Sequence, residues 1–390
     1  MASEHKADPG RQWETEEHRL FRQSFRRFVA QEITPKVRQW EAEGMVPRDL
    51  WLKMGREGFL CPWLPPEYGG LNLGYEFSVI ISEELIRGDA FGLGVSLHSD
   101  VAVPYIFRYA SDEVKARWLP GCAAGEVITA LALTEPGAGS DLSALRTRAA
   151  RAGDQYRLDG QKTFISNGCL ADLIIVAART EPQAGFWGLS LILVAGGAPG
   201  LSRGRPLKKM GCHLQDTAEL FFEDCRTPLD YLLGQEGLGH KYLLERLPEE
   251  RLEVAIKCQA MAEEALREAL SYARTRQAFG RPIGNFQHNA FKLAEMATEV
   301  ELGRVFLERL LDDHLSGRDI ALRVSMAKYW LAEMVNRVAY QAVQIHGGYG
   351  YMEEYRACRI YRDVRVLSIY AGTSEIMKML ISRRLGLRPS

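Results

Sequence analysis

The sequence predicts an α+β protein in which amphipathic helices come first, strands second and long helices last. Three observations predict that order. Apolar residues recur at three-to-four spacing through residues 14–131. From about Ala132 to Gly234 the apolar runs shorten to strand length, and Gly or Pro breaks them frequently. Residues 249–276 and 318–346 then run roughly seven or eight turns each without a Gly or Pro. Strands and helices do not alternate, and no GxGxxG follows a strand, which disfavours a doubly wound dinucleotide fold.

In the first part, Leu20, Phe21, Phe25 and Phe28 form one apolar stripe, and Ile80, Ile81, Leu85 and Ile86 another. In the middle, Asp172-Leu-Ile-Ile-Val-Ala-Ala and Leu189-Ser-Leu-Ile-Leu-Val read as strands. The long amphipathic stretches at the end suggest a helical bundle. A chain of 390 residues is long for one core. The expected domains are residues 1–131, 132–236 and 237–390.

The formal charge of −1, with acids and bases interspersed, gives no sequence-wide reason to bind nucleic acid or anionic lipid. Seven cysteines, at positions 61, 122, 169, 212, 225, 258 and 358, include no CxxC pair. Their odd count and wide spacing argue against a disulfide framework and against zinc. The eight histidines form no HExxH, and no GxSxG elbow occurs, so neither a metal nor a serine hydrolase site is expected. Met1 to Arg19 mixes acids and bases without an apolar stretch, unlike a secretory signal or an acid-poor transit peptide. No apolar run approaches bilayer length. The expectation is a cytoplasmic protein without stable membrane insertion.

Five segments carry candidate chemistry. In Leu131-Ala-Leu-Thr-Glu-Pro-Gly-Ala-Gly-Ser-Asp141, small residues let the backbone approach a flat ring or a phosphate, and Thr134 and Ser140 add hydroxyls. Taken alone, a Gly-rich turn leaving a strand is the better reading. In Lys162-Thr-Phe-Ile-Ser-Asn-Gly168, Phe164 can pack on an aromatic ring while Ser166 donates to it. A strand ending in an Asn-Gly turn reads the same way. Tyr272-Ala-Arg-Thr-Arg-Gln-Ala-Phe-Gly-Arg-Pro-Ile-Gly-Asn-Phe-Gln287 places Arg276 about one turn before a helix end at Gly280. Its guanidinium fork suits a phosphate, and capping its own helix is the plain alternative. Gln344-Ile-His-Gly-Gly-Tyr-Gly-Tyr351 opens a helix terminus into glycines. Ile369-Tyr-Ala-Gly-Thr-Ser-Glu-Ile376 feeds a final helix whose first amides suit an anion or a carbonyl oxygen. Ordinary capping explains each of these last two separately.

Together, in this order and spacing, the five segments resemble the acyl-CoA dehydrogenase family over residues 14–385. Leu97-His-Ser-Asp, Lys209-Met-Gly and Gln215-Asp-Thr-Ala-Glu-Leu-Phe-Phe-Glu-Asp224 read most like its long-chain branch. The resemblance implies an N-terminal helical domain, a β-barrel-like middle domain and a C-terminal four-helix bundle. It implies FAD as cofactor, an acyl-CoA substrate, an electron-transferring flavoprotein as acceptor, and a homotetramer or at least a homodimer. By the same resemblance Leu131, Leu133, Thr134, Gly139, Ser140, Phe164 and Ser166 hold the isoalloxazine ring. Arg276, Phe279 and Gln287 reach the flavin of a neighbouring subunit. Gln344, Gly347 and Gly348 contact the adenosine half, and Thr373 and Glu375 the pyrophosphate region. Substrate contacts fall to Ser140, Tyr242, Pro248, Arg251, Tyr370 and Gly372.

The implied reaction removes a hydrogen from each of the α and β carbons of a medium, long or branched acyl thioester, giving the trans-2-enoyl product. It needs a carboxylate as base. Many family members place that Glu directly before Gly-Thr-Ser, where this chain has Ala371. In the long-chain and isovaleryl branches the base instead precedes an Arg-Leu at the start of the first long helix. Leu247-Pro-Glu-Glu-Arg-Leu252 supplies it as Glu250, at the branch's spacing from Arg276. Glu249 and Glu253 are then expected to be exposed acids of a first turn, partners of the helix dipole. Desolvation should raise the pKa of the base, and donors at the thioester oxygen should stabilise the developing enolate. The backbone N–H of Ala371 can serve as one donor, since that role needs no side chain. Pro104 either opens the pocket floor by interrupting a helix, which suits a long or branched acyl group, or marks a plain helix boundary.

Three other readings remain at this level: a same-fold flavoenzyme acting on a carrier-protein or polyketide-type thioester, a flavin monooxygenase, and a silent acyl-CoA-binding protein. Glu250 favours dehydrogenation, because oxygenation needs no α-proton base. Near-complete flavin motifs argue against the silent protein.

Overall fold

The computed structural model describes residues 13–181 and 187–387, so the N-terminal expectation for Met1 to Arg19 falls mostly outside the described residues. The N-terminal part comprises α1 (Glu16–Phe28), α2 (Val37–Glu43), α3 (Arg48–Arg56), α4 (Tyr75–Arg87), α5 (Val103–Tyr109) and α6 (Asp112–Ala124). Phe21, Phe25 and Phe28 of α1 pack around Phe59, with ring centroids 5.6, 4.7 and 5.3 Å away. Leu20 is exposed, so the stripe is narrower than the sequence suggested. On the other side of α1, Arg22 and Arg26 pair with buried Glu84 of α4 at 3.1 and 2.8 Å. Ile80, Ile81, Leu85 and Ile86 are all buried, as their spacing requires.

Eight strands follow: β1 (Thr129–Ala132), β2 (Arg148–Ala152), β3 (Gln155–Ser166), β4 (Leu173–Arg179), β5 (Leu189–Ala195), β6 (Leu201–Arg203), β7 (Thr217–Pro228) and β8 (Leu232–Leu233). They form one mixed sheet in the order β6-β7-β3-β2-β4-β5-β8, with β1 parallel to β4. β4 is buried on both faces from Leu173 to Ala178, which is why its sequence is an unbroken apolar run rather than an alternation. The sheet curls until the Thr227 hydroxyl of β7 donates to the Leu193 carbonyl of β5 at 2.8 Å, a barrel-like closure.

The C-terminal part holds α7 (Gly239–Thr275), the hairpin strands β9 (Gln277–Ala278) and β10 (Arg281–Pro282), α8 (Gln287–Leu315), α9 (Ala321–His346), α10 (Arg356–Val364) and α11 (Ser374–Arg384). α7 to α10 surround one core as a four-helix bundle. Ala255, Ala262, Ala265, Ala269 and Ala273 line the buried face of α7, and their small side chains let α9 approach closely.

Two sequence expectations need correction here. α7 begins at Gly239 rather than near Leu247 and carries Pro248 inside it. The carbonyl that Pro248 leaves without its helical partner belongs to Leu244, an exposed residue. α7 also ends at Thr275, so Arg276 caps the helix in extended conformation and Gly280 turns the following hairpin. Among the described residues, no helix is long and apolar enough to cross a membrane and no group of side chains could hold a metal. All seven cysteines are free.

Candidate active site

Glu250 stands about three turns into α7. Its Oε2 is shielded from solvent and has no hydrogen-bond partner. Burial pushes the carboxyl's pKa up, while Arg251 and Lys328 pull it down. Glu249 and Glu253 are not the exposed first-turn acids expected, because the helix starts at Gly239 and its dipole end lies turns away. Glu249 pairs with Arg246. Glu253 is buried, and its Oε1 accepts from the Ser82 hydroxyl at 2.8 Å and pairs with Lys257 at 3.3 Å. Glu250 alone of the three has no side-chain partner among the described residues.

Ala371 lies in the turn before α11 with φ 53°, a strained conformation for a residue with a Cβ. The turn is fastened to α9 at two points. The Lys328 ammonium donates to the Gly372 carbonyl at 2.5 Å, and the Ser374 hydroxyl donates to Glu333 Oε1 at 2.5 Å. The Thr373 hydroxyl accepts from the Ile376 N–H at 3.3 Å, so it caps α11. Lys328 is fully buried, and burial lowers its pKa to about 8. Arg251 and Glu250 are among its charged neighbours, and its bond to the Gly372 carbonyl ties it to the Ala371–Gly372 turn. The sequence reading missed Lys328. Its signal was a lysine on the buried stripe Val324, Lys328, Leu331 and Val335. Tyr370 is 37% exposed as a residue, yet burial around its hydroxyl raises its pKa, with Cys258 and Glu250 among the charged neighbours.

The second group of residues forms a shelf on the β-sheet. Lys162, fully buried in β3, donates to the Leu133 carbonyl at 2.9 Å and pairs with Glu135 at 2.8 Å. Glu135 also accepts the backbone N–H groups of Arg146 and Thr147 at 2.6 and 3.0 Å. The Thr163 N–H donates to the Thr134 carbonyl at 2.9 Å. These bonds lock the Thr134–Ser140 turn onto β3, and neither Lys162 nor Glu135 was singled out from sequence. A bulge in the β3–β7 pairing between Lys162 and Ile165 puts Phe164 at φ 59° and leaves it 68% exposed. Gly137 and Gly139 lack positive φ, and a Cβ on either would meet nothing within 4 Å. Ser140 is exposed, and Leu131, Leu133, Thr134 and Ser166 are partly buried.

The third group lies at the bundle's end. The Arg276 guanidinium sits 5.6 Å from the Tyr349 ring, which joins the Arg276 segment to the Gly347-Gly348 cluster. Phe279 is 95% exposed at φ 49°, and Gln287, Gln344, Gly347 and Gly348 are exposed; Glu375, also exposed, belongs instead to the first turn of α11 beside the Gly372 turn. No hydrogen bond, ion pair or ring contact among the described residues joins this group to the shelf within one chain. Tyr242 lies about two turns before Glu250 and packs against Tyr109 with ring centroids 4.3 Å apart, its hydroxyl accepting from the Gln235 N–H. The structure therefore uses it as a strut. Pro104 sits in the first turn of α5 after a wider turn (Leu97–Ala102), a helix boundary, and it also lines a cavity.

FAD fits these surfaces. An exposed aromatic on a strained bulge and two glycines whose surroundings leave room for a Cβ suit a flat ring lying on the backbone. The shielded Glu250 Oε2 has no hydrogen-bond partner and is free to accept one.

Comparison with known proteins agrees along the whole chain. Family models of the acyl-CoA dehydrogenase N-terminal, middle and C-terminal domains match residues 15–126, 130–225 and 237–386. The rat long-chain specific mitochondrial acyl-CoA dehydrogenase is 44% identical over 371 residues, 95% of this chain and 86% of that protein. The crystal structure of an acyl-CoA dehydrogenase from Geobacillus kaustophilus is 51% identical with a TM-score of 0.96, covering 97% of this chain and all of that one. A glutaryl-CoA dehydrogenase from Mycobacterium smegmatis in complex with FADH2 superposes with a TM-score of 0.89 at 29% identity, covering 97% and 96% of the two chains. The chain belongs to the acyl-CoA dehydrogenase family of FAD-dependent oxidoreductases.

Proposed function

We propose that the protein catalyses α,β-dehydrogenation of an acyl-CoA thioester, with Glu250 taking the α-proton. The observation that carries this reading is the shielded, unpartnered Glu250 carboxyl oxygen, raised in basicity by burial and left free by neighbours that satisfy Glu249 and Glu253. The Ala371 N–H holds the thioester oxygen, and Lys328 keeps that turn in place through the Gly372 carbonyl. Arg251 and Ser140 line the path of the CoA portion, and Tyr370 and Gly372 flank the acyl group. The shelf of Leu131, Leu133, Thr134, Gly139, Ser140, Phe164 and Ser166 holds the isoalloxazine ring. FAD, when bound, supplies the acceptor for the hydride that leaves the β carbon.

Arg276, Phe279 and Gln287 reach the flavin of a second subunit, while Gln344, Gly347 and Gly348 contact the adenosine half and Thr373 and Glu375 the pyrophosphate region. The exposure of Arg276, Phe279 and Gln287 in the single chain and their separation from the shelf support a homotetramer, or at least a dimer. An electron-transferring flavoprotein takes the electrons, and the protein works in the cytoplasm. The test is anaerobic mixing of the yellow holoenzyme with acyl-CoAs of graded length and branching. Bleaching of the flavin with formation of a 2-enoyl thioester is expected. A flavin that stays oxidised with every thioester contradicts the reading.

A further inference from the structure

We propose that the cavity next to Glu250 selects acyl groups that carry a neutral hydrogen-bonding function, a hydroxyl or a carbonyl, away from the thioester. The inference rests on the acyl-thioester reading above. The cavity holds about 590 Å³, and Trp63, Pro104 and Phe107 form an apolar wall. Arg246, on its other wall, precedes Glu250 by one turn on the same face of α7. Tyr105, adjacent to Pro104, has Glu250, Arg246 and Glu249 as charged neighbours. Glu249, the residue before the base, and Arg246, one turn before it, both line the cavity.

A pocket for plain hydrocarbon is lined by apolar side chains, because an unmatched polar group inside it loses its hydration for nothing. The rest of the lining breaks that rule three times. Asp100 is 8% exposed and its Oδ1 has no partner. Arg246 is 7% exposed and its Nε has none. The shielded hydroxyl of Tyr75 has none either. α4, the turn before α5, and α7 each deliver one of these groups to the same space.

The charges point to a neutral guest. Burial, and then the Glu253 carboxylate, push the Asp100 pKa up against the pull of the Ser78 hydroxyl, Lys257 and Arg246, which favours the protonated carboxyl that both donates and accepts. The Arg246 charge is committed to Glu249, and burial lowers the pKa of His314 on the same wall. At the rim, Lys115 pairs with Asp112 at 3.1 Å and Arg108 stands exposed. The inner wall therefore offers donors and acceptors without a free charge. It complements a hydroxyl or a keto group better than a carboxylate or an alkyl end.

The test compares kcat/KM of the holoenzyme for three acyl-CoAs of equal chain length: unsubstituted, bearing a remote hydroxyl or keto group, and bearing a terminal carboxylate. The hydroxy or keto thioester is expected to lead the unsubstituted one by about tenfold or more, since a site built around a polar group discriminates strongly against its absence. Asp100→Leu and Tyr75→Phe should each shrink that ratio, with FAD content unchanged, and Asp100→Asn should keep most of it because the amide still donates and accepts. An unsubstituted or carboxylate-tailed substrate in the lead, or a ratio that neither Asp100→Leu nor Tyr75→Phe moves, overturns the proposal. Reduction by all three thioesters without preference sinks this inference alone; bound thioesters that never reduce the flavin sink the dehydrogenase reading with it.

Discussion

From a position with no solvent exposure, the Lys328 ammonium donates to the carbonyl of Gly372 at 2.5 Å. That contact does two things at once. It fixes the turn bearing the Ala371 N–H to α9, and it sets a positive charge beside Glu250, where it favours the carboxylate. The strained φ of Ala371 persists because α9 and the Thr373 cap hold the turn from both sides.

Replacing Lys328 by Met should therefore move the acidic limb of the kcat/KM profile to higher pH. Loss of the ammonium removes a charge that lowers the Glu250 pKa, so protonation of the base begins at a higher pH. Lys328→Arg should move the limb less. Profiles measured on both variants decide it, and a limb that stays put in Lys328→Met would show that the lysine acts on the fold alone.

Lys162→Met should destabilise the protein by about 3–5 kcal/mol, because Glu135 stays buried without its cation. Adding Glu135→Gln should recover part of that loss, since the amide is no longer charged. FAD retention should fall with the single change, as Lys162 and Glu135 together hold the Thr134–Ser140 turn. Equal melting temperatures for Lys162→Met and the parent protein would contradict this.

His98 should make the protein acid-sensitive. Its Nδ1 accepts from the Thr129 N–H at 3.1 Å, so the proton sits on Nε2 and points to the Cys122 carbonyl at 3.1 Å. Burial lowers its pKa to about 4 from 6.5. The unfolded chain then binds the extra proton first. Stability is complete above about pH 6.5 and falls by ~3 kcal/mol as the pH drops towards 4. Denaturant midpoints across that range should slope less in His98→Gln, which takes up no proton. Matching slopes would remove His98 from the acid response.

The order of the three parts was legible because periodicity follows burial: α4 buries Ile80, Ile81, Leu85 and Ile86, and β4 is buried on both faces. The start of α7 was not, since Pro248 reads as a boundary when the exposure of Leu244, four residues back, is unknown. The bulge that exposes Phe164 depends on the register of β3 against β7, which no local pattern encodes. Glu250 was legible only through a family resemblance. Nothing in Pro-Glu-Glu-Arg-Leu tells one acid from the next until Arg246 and Ser82 take up its neighbours. Lys162, Lys328 and Asp100 were missed for one reason: a buried charge is set by partners distant in sequence.

The most direct measurement is anaerobic titration of Glu250→Gln with an acyl-CoA that reduces the parent enzyme. Glutamine preserves the shape and the helix but cannot take the proton. The variant should keep its FAD and bind the thioester, while the rate of flavin bleaching falls by about 10²–10⁴. Bleaching within a few-fold of the parent rate would mean that the α-proton leaves by way of another group.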